Sequence, residues 1–217
     1  MPLLSRRIAV LTILTAMTSC QSASMPENAT HQAEGPASGS SSEIAVKPNP
    51  APHQPYALML AFSRLPDKPT EVKGTVDFEV TNLECVPIDY TRAVGGVKLA
   101  PQHSVPVEFR MADDGGYITR IHADALLDED YFGLGVCHWG LASASVHFRS
   151  PATRFVGGIG ADALTAGNAV TQHYLASDFA KKPDAMDVVF GEDSASFYQA
   201  SAGPQFTLTI SARKEAP

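Results

Sequence analysis

Thr75-Val76-Asp77-Phe78-Glu79-Val80-Thr81 alternates polar and apolar side chains without a break and ends at Asn82. A period of two puts Val76, Phe78 and Val80 on one face and the acids and threonines on the other, which predicts a half-buried strand rather than a helix. The same alternation recurs along the chain. Tyr56, Leu58, Leu60 and Phe62 share one face of an opening strand over 56–63, and Phe206, Leu208 and Ile210 alternate with Thr207, Thr209 and Ser211 in a closing one. Val105, Val107, Phe109 and Met111 alternate with Pro106, Glu108 and Arg110, then run through Ala112-Asp113-Asp114-Gly115-Gly116 into a strand from Tyr117 to Ala123. Acidic residues followed by paired glycines predict a hairpin turn there.

Around the single tryptophan the alternation changes phase. Cys137, Trp139 and Leu141 share one parity, and Ala144, Val146 and Phe148 the other, which predicts a bulge near Ala142-Ser143 or a crossing between sheets. Trp139 is expected to pack over a bridged Cys137. Residues 160–182 stay open: Ala161 to Ala169 reads as a short helix interrupted by Gly167 and Asn168, and Val170 to Leu175 equally as a strand. Met186 to Phe190 reads as a further short strand. Roughly seven to nine strands predict a mainly β chain, an antiparallel β-sandwich with one disulfide and at most one or two short helices.

Ahead of this domain stands a different kind of sequence. Arg6 and Arg7 precede an apolar run from Ile8 to Met17, and Thr18-Ser19-Cys20 follows. A basic start, a short greasy core and small residues before a cysteine predict a secretory signal over residues 1–19, cut to leave Cys20 for lipidation. Several acyl chains at about 0.8 kcal/mol per buried methylene make such an anchor permanent. Gln21 stands where Asp would mark inner-membrane retention, so the periplasmic face of the outer membrane is expected. Residues 20–55 carry six prolines (26, 36, 48, 50, 52 and 55), the run Ser38-Gly39-Ser40-Ser41-Ser42 and few large apolar side chains. That composition predicts a disordered tether, with a single domain over 56–217.

Cys85 and Cys137 are the only cysteines after Cys20. In an oxidising compartment two cysteines in one folded unit are expected to pair. Of 16 basic residues, Arg6 and Arg7 leave with the signal, so 14 face 23 acids and the mature formal charge is −9. That balance argues against nucleic-acid binding, which needs a basic surface. It favours attraction to a basic partner.

Asp124, Asp128, Glu129 and Asp130 crowd one loop, directly before Tyr131 and Phe132. Hard oxygen ligands suit Ca²⁺, and Asp124, Asp128 and Asp130 are its candidate ligands, although the spacing is not that of an EF-hand. The preferred reading is a protein-binding loop in which the acids enter a basic cleft and Tyr131 and Phe132 anchor it. His122, His138 and His147 lie on predicted strands without the close ligand spacing of a zinc motif. No Gly-x-Ser-x-Gly elbow, free domain cysteine or nucleotide-binding glycine fingerprint is present, so no enzyme, cofactor or resident metal is expected.

The stretch Asp128-Glu129-Asp130-Tyr131-Phe132-Gly133-Leu134-Gly135-Val136-Cys137-His138-Trp139, with the lipobox-like Met17-Thr18-Ser19-Cys20 and the Cys85 pairing, resembles small envelope lipoproteins of Gram-negative bacteria. Some of these are immunity partners of toxins delivered by contact-dependent secretion systems. The resemblance implies a non-catalytic inhibitor that captures a secreted toxin before it attacks the wall or membrane. An envelope assembly or scaffolding lipoprotein binding wall or outer-membrane components is the alternative. A metal-dependent hydrolase built on the Asp124–Asp130 loop and nearby histidines ranks third.

Overall fold

Strands form where the two-residue period is strongest, and the longest lie side by side. In the computed structural model, residues 44–180, 188–199 and 202–216 are described. Strand β1 (Pro55–Ser63) pairs antiparallel with β10 (Gln205–Lys214) on one side and β5 (Tyr117–His122) on the other. β10 continues to β8 (Val170–Leu175), and the two-residue β4 (Arg110–Met111) flanks β5, giving the order β4-β5-β1-β10-β8. The second sheet is built on β2 (Glu71–Val80), with β3 (Gln102–Glu108) on one side and β6 (Trp139–Arg149) on the other. β7 (Arg154–Gly160) and β9 (Val188–Phe190) follow, in the order β3-β2-β6-β7-β9. All strand pairs are antiparallel except β7–β9.

The predicted sandwich is therefore present, with the disulfide Cys85–Cys137 and two short helices, α1 (Ala161–Ala166) and α2 (Ala176–Phe179). Its inner faces are those the alternation marked: Leu58, Leu60, Phe78, Val146, Phe206, Leu208 and Ile210 are all buried. Phe148 stacks on Phe155 at 4.9 Å, and Tyr174 on Phe206 at 5.0 Å, with edge contacts between the two pairs. Each buried aromatic contributes about 1.5–3 kcal/mol from area alone, and the edge-to-face geometry adds to it.

Two departures from the sequence reading matter. The run expected as one strand from Val105 to Met111 divides at Phe109: β3 pairs with β2, whereas β4 pairs with β5. The chain thus crosses between sheets there, and the turn at 112–116 closes only a two-residue ladder, with the Ala112 N–H donating to the Gly116 carbonyl at 2.9 Å. On the opposite side, the segment after β9 returns to the first sheet, where His173 and Glu192 exchange backbone hydrogen bonds of 2.8 and 3.0 Å. Each seam is thus spanned by a short connection, a two-residue ladder on one side and a single bridge on the other. The second seam requires glycine at 191, where a Cβ would lie 2.5 Å from Tyr174 Oη and 2.7 Å from Gln172 Cβ.

Other expectations resolve by position. Asp77 pairs with Ser143 and Phe78 with Leu141, so Ala142 is the extra residue of a bulge, at the place where the parity changes. Gly167 and Asn168 terminate α1 rather than interrupt it. Gly167 is left-handed (φ 73°), and Asn168 N–H donates to the Ala163 carbonyl at 2.8 Å, after which β8 begins. Strand β9 falls within the expected 186–190, of which residues 188–190 are described.

The boundary drawn at residue 55 falls too late. Residues 44–55 belong to the folded unit, lying as a strap along 122–127. Asn49 N–H donates to the Ala125 carbonyl at 2.7 Å, and Leu127 N–H to the Lys47 carbonyl at 2.9 Å. Prolines here preset an extended strap rather than a loose tether, and Val46 adds apolar contact with the core. The expected signal peptide, Cys20 and the expected tether up to residue 43 lie outside the described residues. No helix among the described residues is long and apolar enough to cross a membrane.

Candidate functional site

Past Val80, β2 leaves the sheet and meets the segment leading into β6. Thr81 N–H donates to the His138 carbonyl at 2.9 Å, and Asn82 clamps the crossing from both ends. Its side-chain oxygen accepts from His138 N–H at 2.7 Å, and its side-chain nitrogen donates to the Val136 carbonyl at 2.9 Å. The disulfide Cys85–Cys137 follows directly, with its Cα atoms 5.3 Å apart. Around it Val80, Cys85, Val86 and Cys137 form a small second core, and Trp139 packs against both this cluster and the main one. The expected placement of Trp139 over the disulfide is thus observed; its indole N–H is buried without a hydrogen-bond partner among the described residues.

The two loops that leave this staple are held open by local bonds. In the first, Asp89 and Val97 exchange backbone hydrogen bonds of 2.7 and 3.0 Å, making a miniature hairpin whose tip turns at left-handed Gly95 and Gly96. The Asp89 carboxylate accepts from Thr91 Oγ1 (2.6 Å) and Thr91 N–H (2.8 Å), bonds that hold its carboxyl below the usual range. Lys98 Nζ donates to the Leu83 and Glu84 carbonyls at 2.8 and 3.2 Å, fastening the far end. In the second loop, Cys137 N–H donates to the Glu129 carbonyl at 2.9 Å.

These loops carry an apolar surface that the alternation could not reveal. Seven of the ten exposed large apolar side chains among the described residues lie on them: Leu83, Ile88, Tyr90, Val94 and Leu99 on the first, Leu134 and Val136 on the second. Tyr90 is 70% exposed, Leu134 54%, and Val94 fully exposed. Single exposed apolar residues are ordinary, whereas seven of ten on two cross-linked loops is a concentration that sets these loops apart from the rest of the described surface. Exposed Glu84, Asp128 and Asp130 belong to the same segments. The cations there are committed, Lys98 to carbonyls and Arg92 to Asp89 at 3.4 Å.

The residues singled out in the sequence occupy a supporting position. Tyr131 and Phe132 are half-buried against the disulfide cluster, and Tyr131 Oη donates to the Leu127 carbonyl at 2.6 Å. The four carboxylates diverge. Asp124 accepts from His53 and Gln54 N–H at 2.8 and 3.0 Å. Burial alone would raise its carboxyl, but these two donors outweigh it and hold it below the usual range. Asp128 accepts from Trp139 N–H at 2.9 Å and lies 2.8 Å from His138 Nδ1. Glu129 pairs with Lys47 at 2.8 Å, and Asp130 accepts from Gly133 and Leu134 N–H at 2.7 and 3.1 Å.

Three of the acids thus fix different pieces of backbone and Glu129 holds a lysine side chain, and among the described residues no three His, Cys, Asp or Glu side chains converge at metal-binding range. The Ca²⁺ alternative through Asp124, Asp128 and Asp130 finds no shared point of coordination. An open hollow of about 510 Å³ lies between the strap and this loop, lined by Asn49, Gln54, Asp124, Asp128, Trp139 and Thr165. It contains two carboxylates but no paired nucleophile and base. His122 ends β5, His138 partners Asp128, and His147 lies on β6, so the three histidines do not assemble into a site. No protein-family model, curated protein or solved structure matches the chain.

Proposed function

We propose that this chain is a non-catalytic binding protein of the bacterial envelope that neutralises a secreted toxic effector by docking it on the disulfide-stapled loop pair. In this reading Cys20 carries the lipid that holds the protein at the periplasmic face of the outer membrane. The observation that carries it is the gathering of exposed Leu83, Ile88, Tyr90, Val94, Leu99, Leu134 and Val136 on two loops locked together by Cys85–Cys137. A rigid apolar patch loses little conformational entropy on binding, which is what a tight inhibitor needs. The acidic segments and the overall negative charge suit a basic partner and speed encounter with it. In this reading Asp124, Asp128, Glu129 and Asp130 hold the loop through local bonds, and exposed Asp128 and Asp130 add negative charge beside the apolar residues.

The test is functional. The full chain is mixed with the product of the neighbouring reading frame, and any hydrolytic activity of that product on cell-wall or lipid substrate is followed. Stoichiometric inhibition, together with sensitisation of cells lacking the gene to armed neighbours, is expected. Absence of a complex, with no change in sensitivity, overturns the proposal. Envelope defects in pure culture without competitors would point instead to the scaffolding role.

A further inference from the structure

The outer face of the second sheet carries a different chemistry at its far end. Strand alternation points Glu71 and Lys73 of β2, His147 and Arg149 of β6, and Arg154 of β7 away from the core. Register then sets them in two rows. Glu71, Arg149, Arg154 and Val188 run across the sheet in one, and Lys73, His147, Val156 and Phe190 in the next. Together they line a groove of about 510 Å³. It lies beside Glu71 at one end of β2, whereas the stapled loops follow Val80 at the other, roughly 30 Å away at about 3.3 Å per residue.

Arg149 and Arg154 are direct cross-strand partners, and like charges placed opposite each other destabilise a sheet. In a chain with a formal charge of −7, carboxylates are plentiful, yet among the described residues only Glu71 comes within ion-pair range of these two arginines. Glu71 is taken by Lys73 at 2.7 Å and reaches Arg149 only at 3.9 Å, while Glu108 faces Lys73 from β3. Arg154 has no ion pair among the described residues. Beside the guanidinium pair stand Val188 and Phe190, the latter 65% exposed.

We infer that this groove binds a phosphate ester with an apolar substituent, Arg149 and Arg154 clamping the phosphate and Phe190 with Val188 covering the apolar part. A phosphate monoester offers three non-ester oxygens and a diester two, enough to meet two guanidinium forks through charge-assisted hydrogen bonds. Lys73, paired with Glu71 at 2.7 Å, borders the groove from β2 and is not part of the clamp. The inference is independent of the toxin-binding surface.

Three probes test it on the purified full chain by calorimetry: phenyl phosphate, inorganic phosphate, and vesicles of phosphatidylcholine with or without phosphatidylglycerol. Arg154→Gln is expected to weaken phosphate-ester binding about tenfold or more, from loss of charge-assisted bonds worth about 1.5–3 kcal/mol. Arg154→Lys, which keeps the charge but loses the fork, should fall between the two. Phe190→Ala should weaken phenyl phosphate and leave inorganic phosphate unchanged. Binding to phosphatidylglycerol vesicles that is lost in Arg154→Gln identifies a lipid headgroup as the source. Binding of phenyl phosphate without vesicle binding identifies a soluble ester. If neither probe binds, if Arg154→Gln binds as well as the parent, or if polyglutamate competes equally, the inference is overturned.

Discussion

Removing the disulfide should unlock the loop pair and cost much of the domain's stability, while leaving the fold of the sandwich intact. Cys85 and Cys137 are 52 residues apart, and the loop they close contains β3, β4 and β5. In the chain-entropy account, a loop of that length stabilises by about 4 kcal/mol at 25 °C. For a domain of this size, about 4 kcal/mol corresponds to a fall in Tm of roughly 8–16 °C. The Cys85→Ala/Cys137→Ala pair, made in the full chain, is compared with the parent by calorimetry and by hydrogen exchange. Exchange should accelerate most in 81–99 and 131–138, where no covalent link remains between the loops and the Asn82 clamp is the chief side-chain tie across them. Protection in β1, β10 and around Phe148 should persist up to the lower global limit. A Tm within about 2 °C of the parent, or loss of protection spread evenly across both sheets, would refute the reasoning.

Other consequences follow from particular contacts. Asp124→Ala removes the acceptor for His53 and Gln54 N–H and should cost about 1–2 kcal/mol, read by denaturant unfolding, with proteolysis appearing first in the strap. Because the folded-state pKa of Asp124 is depressed, its stabilisation is present above the unfolded value near 3.8 and lost as pH falls through the lower folded value. Asp124→Asn should therefore flatten the acid limb of the stability–pH curve without changing its slope near neutrality. Gly191→Ala drives a Cβ onto Tyr174 Oη and Gln172 and should destabilise by about 1–3 kcal/mol, with faster exchange at His173 and Glu192 as the seam opens.

The strands were legible because burial imposes a period of two, and the alternation around Phe78 and Leu208 needs no tertiary information to be read. The bulge at Ala142 was legible for the same reason, since an extra residue shifts the parity of everything after it. The sheet switch at Phe109 was not, because alternation continues unbroken through the crossing and says nothing about which partner each half chooses. Proline content also misled at residues 44–55, where an extended strap and an unstructured tether share a composition. At the site, the acids stood out as a local cluster, but their work is done on backbone amides supplied by residues 53, 133 and 139. The exposed apolar residues were hidden for the opposite reason. Ile88, Tyr90 and Val94 follow no period, and only the disulfide links their loop to the one that carries Leu134 and Val136.

The most direct test of the stapled surface is the affinity of the full chain for an effector it inhibits when that surface alone is changed. Val94→Asp and Leu134→Asp place charge at two exposed points on the two loops and touch no core contact. Combined, they should weaken binding at least about 100-fold, the loss of two hot-spot positions at about 2 kcal/mol each being more than sufficient, while Tm stays within about 2 °C of the parent. Undiminished affinity in a folded double variant would contradict the assignment of this surface.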